Sequence, residues 1–487
     1  MKKILAAVLG LVLALLVAVL LLRMILIKSH QVQTVEPVTD LQIDARGAAG
    51  RLAAAIRFPT VSHENGENVE AGAFQGLHQY LQQTFPRVHA ALSRETVGGH
   101  SLLYTWKGRR PELPPVLLLS HMDVVPVEPG TERAWTHAAF SGFMDGAWVW
   151  GRGAMDDKVS LMAILEAAEM LLGRGFQPDR TVYFAFGHDE EVGGRGAAAI
   201  AALLERRGVR PAFILDEGGA IVEGMVPGVE RPVAMVGTAE KGVLSVELVA
   251  ESPGGHSSMP PRHGAIGKLA AAVETLEDHQ MPARLDGATR RSYQYLAPEM
   301  PFGPRLVLAN LWLFAPMLER QADADPATGA RLRTTTAPTI FQGGVKENVL
   351  PHQARAVVNF RILPGDTIAS VLHHVRETVG PGIRVRATGT ANGEASPESE
   401  VGAPEFGLIQ RTLAQVFPKV LVAPNLLSGA TDTRHYLRLS RNVFRFIPMR
   451  VKAEDLARIH GTNERVGIEN YGEIVRFYAQ LLRNGSV

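Results

Sequence analysis

Between Leu118 and Asp216 the chain carries six groups able to hold or serve a metal: His121, Asp123, Asp156, Glu190, Glu191 and Asp216. Each lies at the end of an apolar run or in a glycine-rich turn. That placement constrains the fold. Apolar strands must lie side by side with their carboxyl ends together, and the acids gathered there repel one another unless a cation sits among them. Imidazole nitrogen and carboxylate oxygen are donors that zinc accepts, and a two-metal site needs one carboxylate able to bridge. The pattern is that of a metallohydrolase.

The text around these residues alternates short apolar strands with helical stretches. Pro115 to Ser120, Thr181 to Gly187 and Ala212 to Asp216 read as buried strands. Ser160 to Leu172 and Ala197 to Arg206 carry helical apolar spacing. The fold class expected is α/β, a mostly parallel sheet flanked by helices. After Gly237 the texture changes. Val243 to Ala250 and Ala354 to Ile362 alternate like half-exposed strands, Asp366 to Val379 reads as a helix, and Ile383 to Ala387 as another strand. A smaller α+β domain is therefore expected at 238–390, inserted into a catalytic domain formed by 45–237 and 391–487. Within the insert, 285–335 is rich in proline and aromatic residues, among them Tyr293, Tyr295, Phe302, Trp312 and Phe314.

At 487 residues the chain is too long for a single ordinary core. Lys+Arg 50 against Asp+Glu 49 leaves no electrostatic case for nucleic acid as a partner. With no cysteine, disulfides and thiolate zinc sites are excluded, so any metal is held by His, Asp and Glu. The N-terminus is apolar without a break from Ile4 to Leu22, followed by Arg23, Met24 to Ile27 and Lys28. At about 1.5 Å per residue that run nearly spans a hydrocarbon core of about 30 Å. Residues 1–28 are read as an uncleaved transmembrane signal anchor, with a cleaved signal peptide as the alternative, and 29–44 as a polar stalk. Lysines or arginines flank both ends, so charge orients the segment only weakly. The catalytic part is expected on the extracytoplasmic side, or secreted if the segment is cleaved.

Read singly, each motif has a plain alternative. His121-Met-Asp123 ends a strand, and residues two apart share a face, so Asp123 can orient His121. An acid opening a helix can be a cap, which suits Asp157, whereas Asp156 reads better as a ligand. In His188-Asp-Glu-Glu191, one glutamate can bind metal while its neighbour acts as general base. His256 in GGHSS and His460 in RIHGTNE read singly as surface or capping histidines.

Together, SHMDVVPV, WGRGAMDDK, FGHDEEVGG, ILDEGG, GGHSSMPP, RTTTAPTIFQGGVKENVLP, NFRILPGDT and RIHGTNE resemble the dinuclear-zinc metallopeptidases. That family includes aminoacylase, carboxypeptidase S, glutamate carboxypeptidase and succinyl-diaminopimelate desuccinylase. The resemblance runs from about residue 45 to the C-terminus and is strongest to the carboxypeptidase S-like branch, which includes N-fatty-acyl amino acid synthase/hydrolase. It implies two zinc ions, with cobalt or manganese as substitutes. His121 and Asp216 would hold one, Glu191 and His460 the other, and Asp156 would bridge. Some relatives carry glutamate at the position matched to Asp216. Glu190 matches the general base and Asp123 the residue orienting the first histidine. His256 matches the insert histidine that in family dimers reaches the other subunit's site to stabilise the oxyanion, so the insert is expected to serve as lid and homodimer contact. Asn348 and Arg361 match lid positions that hold the substrate's carboxylate.

The implied activity is hydrolysis of an amide next to a free carboxylate, as a carboxypeptidase on small peptides of the Gly-Xaa type. The alternative is an N-acyl or fatty-acyl amino acid as substrate, and a more distant one is an inactive membrane-anchored binding protein. The aromatic-rich 285–335 segment is read first as core packing of the insert, with a site for an apolar acyl chain as the alternative.

Overall fold

The computed structural model describes residues 1–32, 35–63, 70–321 and 324–486. Its larger sheet is parallel through the centre. Val116–His121 lies between Val182–Gly187 and Phe213–Asp216, all parallel, and Val443–Arg445 continues the parallel order beyond Phe213–Asp216. Antiparallel strands flank this centre: Ser93–Val97 and Ser101–Trp106 on one side, Val233–Glu240 and Ile221–Val222 on the other. The sheet is therefore mixed, with the expected parallel arrangement where the acids fall.

Period-two alternation divides each strand's side chains between two apolar layers. Leu118, Leu102 and Phe184 join the layer shared with the helices Ala45–Ile56, Lys158–Gly173 and Ile468–Gly485. Leu117, Leu119, Leu103 and Ala185 face the helix Arg195–Arg206 through Ile200 and Leu204. Each such leucine, isoleucine or phenylalanine side chain, fully withdrawn from water, contributes about 1.5–3 kcal/mol. With both faces covered, the strands could only be apolar throughout, which is how they read in the sequence.

A second sheet is antiparallel, in the order Thr335–Gly343, Gln353–Ile362, Gly242–Glu251, Ile383–Gly393. Leu244, Val246 and Leu248 alternate onto one face, where the helices Ala265–Asp278 and Ile368–Val379 cover them. The proline- and aromatic-rich stretch does not join that core. Its helices Gly287–Leu296, Phe302–Ala309 and Leu311–Arg320 place Tyr295, Leu296, Leu308 and Leu311 in the core of the first sheet.

The stretch read as a stalk also differs from expectation, leaving aside residues 33 and 34, which lie outside those described. It is strapped along the body. Gln31 exchanges two hydrogen bonds with Val422, the Val38 N–H donates to the Gln415 carbonyl at 3.0 Å, and Leu41 is buried. A polar stretch can lie on a surface in this way because its backbone groups find partners there.

Candidate active site

The sheet's parallel centre ends in the acids. His121 is the last residue of Val116–His121, and Gly187 ends the neighbouring strand immediately before His188-Asp-Glu-Glu191. Asp216 ends the third strand. Asp156 comes from the turn that precedes the helix Lys158–Gly173, and its peptide bond to Asp157 is cis.

Asp156 is the hub. Its Oδ1 lies 2.9 Å from Nε2 of His121, and its Oδ2 lies 3.1 Å from Nε2 of His460. The His460 nitrogen also stands 3.2 Å from Oε2 of Glu191. Two groups of mutually close ligand atoms therefore share Asp156: one with His121 and Glu217, the other with Glu191 and His460. One carboxylate common to two clusters is the geometry a bridging ligand requires.

The first group corrects one expectation. The acid that meets His121 and Asp156 is Glu217, and Asp216 is not in the group. Successive residues at a strand end point to opposite sides, so a shift of one position exchanges which acid faces the cleft. The Asp216 side chain accepts the N–H of Glu217 at 2.9 Å, and its other oxygen is buried without a hydrogen-bond partner.

Asp123 is fully buried and arranges its neighbours. It stands 3.3 Å from Nδ1 of His121, accepts the Ser62 hydroxyl at 2.6 Å, and accepts the N–H groups of Glu190 and Glu191 at 3.1 and 3.2 Å. One carboxylate thus fixes both the imidazole of His121 and the turn that carries the two glutamates. Asp157 occupies the helix cap position as read, but its side chain makes no capping hydrogen bond.

His460 reaches the cluster through residues whose roles were not read from the sequence. Arg152 pairs with Glu464 at 2.7 Å in a buried contact, and Arg152 also donates to the His460 carbonyl at 3.0 Å. The other oxygen of Glu464 accepts the N–H of Met155 at 2.7 Å and of Asp156 at 3.2 Å. This pair ties the Asp156 turn to the His460 loop. His460 itself has φ 59°, a left-handed conformation uncommon outside glycine and typical of constrained sites. The Glu464 signal was present in RIHGTNE, but nothing in the sequence linked it to Arg152.

The electrostatics suit a cation. Burial raises the Glu190 carboxyl well above the usual range, and the nearby acids Asp432, Glu191 and Asp123 push the same way against the opposing pull of His121. Glu217 is raised well above its ordinary value by burial and by Asp156 and Asp216. Carboxylates gathered this closely around two imidazoles, with Glu191 Oε1 buried and left without a hydrogen-bond partner, form a donor set that fits zinc.

Asp156, Glu190, Glu191, Glu217 and His460 line a cleft of about 880 Å3 that also receives Arg361, with His121 buried behind them. Arg361 is partly buried and its side chain makes no hydrogen bond or ion pair among the described residues, so its guanidinium is available to a ligand. His256 and Asn348 are not part of that lining. Both are exposed on a small ribbon pairing Gly255–His256 with Val349–Leu350, where the Ser257 N–H donates to the Asn348 carbonyl at 3.2 Å.

Known proteins resemble this chain along most of its length. Residues 117–484 match the family model described as Peptidase family M20/M25/M40. The chain is 43% identical over 442 residues to a probable carboxypeptidase S-like 2 of Dictyostelium discoideum, covering 90% of this chain and 84% of that protein. It is 41% identical over 441 residues to the N-fatty-acyl-amino acid synthase/hydrolase PM20D1 of Xenopus tropicalis, covering 89% and 85% of the two chains. Carboxypeptidase S of Saccharomyces cerevisiae is 32% identical over 485 residues, covering 89% of this chain and 83% of that one. Among solved structures, an M20 family metallo-carboxypeptidase from Sulfolobus solfataricus shares the fold with a TM-score of 0.66 at 19% identity, covering 91% of this chain and all 100% of that chain. Because the matched span holds every group that meets at the strand ends, from His121 to His460, the chain belongs to the peptidase family M20/M25/M40 and is a metal-dependent hydrolase.

Proposed function

We propose that the protein hydrolyses an amide bond next to a free carboxylate, using a pair of zinc ions. The observation carrying this reading is that Asp156 is shared between two ligand groups in a cleft that also holds Arg361. His121 and Glu217 would hold one ion, Glu191 and His460 the other, with Asp156 between them. Bound there, such a pair lowers the pKa of water and polarises a carbonyl.

The chain's own residues supply the rest. Glu190 takes the proton of the attacking water and passes it to the leaving nitrogen. Asp123 keeps His121 and the Glu190 turn in register. Arg361 pairs with the substrate's carboxylate through two parallel hydrogen bonds, a geometry its planar guanidinium favours.

Small peptides and N-acyl amino acids both carry the required amide and carboxylate. A second cavity of about 640 Å3, lined by Leu296, Met300, Leu308 and Leu318, shares Met225, Val226, Met235 and Arg331 with the cleft. It favours an apolar acyl chain on the far side of the scissile bond, since sites for such groups are largely apolar and fall in this size range. Turnover of oleoyl-phenylalanine against Gly-Leu by the zinc-loaded protein tests the choice. The expected result is a higher kcat/KM for the acyl amino acid, and a clear preference for the dipeptide would remove the acyl reading.

The domain division is part of the same reading: a catalytic body from 45–237 and 391–487, on which the helices Gly287–Leu296, Phe302–Ala309 and Leu311–Arg320 also pack, and an insert formed by the rest of 238–390 that serves as lid and homodimer contact. His256 and Asn348, exposed on the insert's ribbon, would act at the site of the second subunit. The helix Lys2–Leu26 would anchor the protein in a membrane with its catalytic part on the extracytoplasmic side. Its length and its mean hydropathy of 3.2 over the most apolar window support this.

A further inference from the structure

We propose that the helical pair Phe302–Ala309 and Leu311–Arg320 is a second membrane contact, lying in the lipid headgroup layer beside the N-terminal helix. The proposal rests on the reading of that helix as an anchor and adds a surface of the folded body to it. Lys2–Leu26 is apolar on all sides and buries only Met24 against the protein. Its last turns are tied to the junction of the pair. Asn310 donates to the Leu20 carbonyl at 3.0 Å, Arg305 to the Met24 carbonyl at 3.2 Å, and Arg23 to the Ala309 carbonyl at 3.5 Å. Where the anchor leaves the hydrocarbon, these two helices are therefore already present.

Their outer side suits that position. Phe302, Trp312, Leu313 and Met317 are exposed, at 62%, 52%, 39% and 44%, whereas Leu308 and Leu311 point inward to the core. Single exposed apolar residues are ordinary, but four on a continuous pair of short helices beside an apolar anchor form a patch. Tryptophan is enriched where hydrocarbon meets headgroups, because its ring is apolar and its N–H polar. The charge also fits lipid phosphate. Trp312 borders a hollow of about 440 Å3 whose lining includes Arg23, Lys28 and Arg290 and no carboxylate. Basic groups clustered at a membrane end attract anionic headgroups.

Docking in this way gives the neighbouring apolar cavity a direction. Leu308 lines both the basic hollow and the 640 Å3 cavity that leads to the catalytic cleft. An acyl chain leaving the bilayer at Trp312 would meet the wall that Leu308 forms between the hollow and that cavity, next to the catalytic cleft. A soluble peptide would gain nothing from this route.

The chain has no cysteine, so single-cysteine variants of the full protein report position cleanly. Leu13→Cys marks the anchor, Trp312→Cys and Met317→Cys the proposed contact, and Met259→Cys and Val345→Cys exposed points of the insert. Each is labelled with bimane and reconstituted in phosphatidylcholine/phosphatidylglycerol vesicles containing doxyl-labelled phospholipid. Loss of fluorescence at positions 13, 312 and 317, with none at 259 and 345, is the expected result. Loss at 13 alone would overturn the docking surface and leave the anchor standing. Loss at 312 and 317 without 13 would keep the surface and remove the anchor. No loss at any position would overturn both.

Discussion

His460 and Asp156 lie 304 positions apart in the chain, yet Nε2 of the one stands 3.1 Å from Oδ2 of the other. That contact closes the second ligand group, and it depends on the chain's last segment returning across the sheet after the whole insert. The buried Arg152–Glu464 pair holds the two turns at this distance. Removing one partner of such a pair leaves an uncompensated buried charge, so the pair fixes the geometry as well as supporting the fold.

The exchange of Asp216 for Glu217 has a direct consequence. Glu217→Gln is expected to cost the protein one of its two metal equivalents after dialysis, whereas Asp216→Asn keeps both. Elemental analysis of the dialysed variants measures this. The opposite pattern would return Asp216 to the ligand set.

Arg361 enters the cleft with no partner among the described residues. Arg361→Ala is expected to lower kcat/KM for a substrate with a free carboxylate about 10–100-fold, the worth of charge-assisted hydrogen bonds of about 1.5–3 kcal/mol. A substrate amidated at that position should be turned over equally poorly by the variant and the native protein. Steady-state kinetics on the matched pair of substrates makes the comparison.

Away from the cleft, His78 on the helix Ala71–Thr84 is a titrating group that favours its neutral form. Burial, helped by Arg94 and His100, lowers its pKa from 6.5 to about 4. Between those values the unfolded chain binds a proton that the folded chain does not. Its contribution to stability is therefore complete above pH 6.5 and lost as the pH falls toward 4. Denaturation of the metal-free protein across that window should show a shallower decline in His78→Gln than in the native chain.

The parallel centre of the fold was legible because strands covered on both faces must be apolar along their length, as Val116–His121 and Val182–Gly187 are. The acids stood out for the same reason, since each interrupts such a run. Other features were hidden by the kind of information a sequence carries. Asp216 and Glu217 are adjacent acids, and only the strand's orientation decides which one faces the cleft. The stretch 285–335 reads as apolar and aromatic wherever it packs, and its partner, the first sheet's core, is distant in sequence. Arg152 and Glu464 meet through a long-range contact that no local spacing encodes. The buried network of Glu240 with Arg445, Thr431 and Thr433 was equally invisible.

The central claim is that Glu190 is the proton-transferring base of a dinuclear amide hydrolase, and Glu190→Gln in the zinc-loaded protein tests it most directly. The substitution keeps the side chain's shape and removes its ability to accept the proton. The expected result is a kcat lowered by about 10²–10⁴-fold with metal content unchanged. Native turnover in a variant that retains both metals would contradict the account.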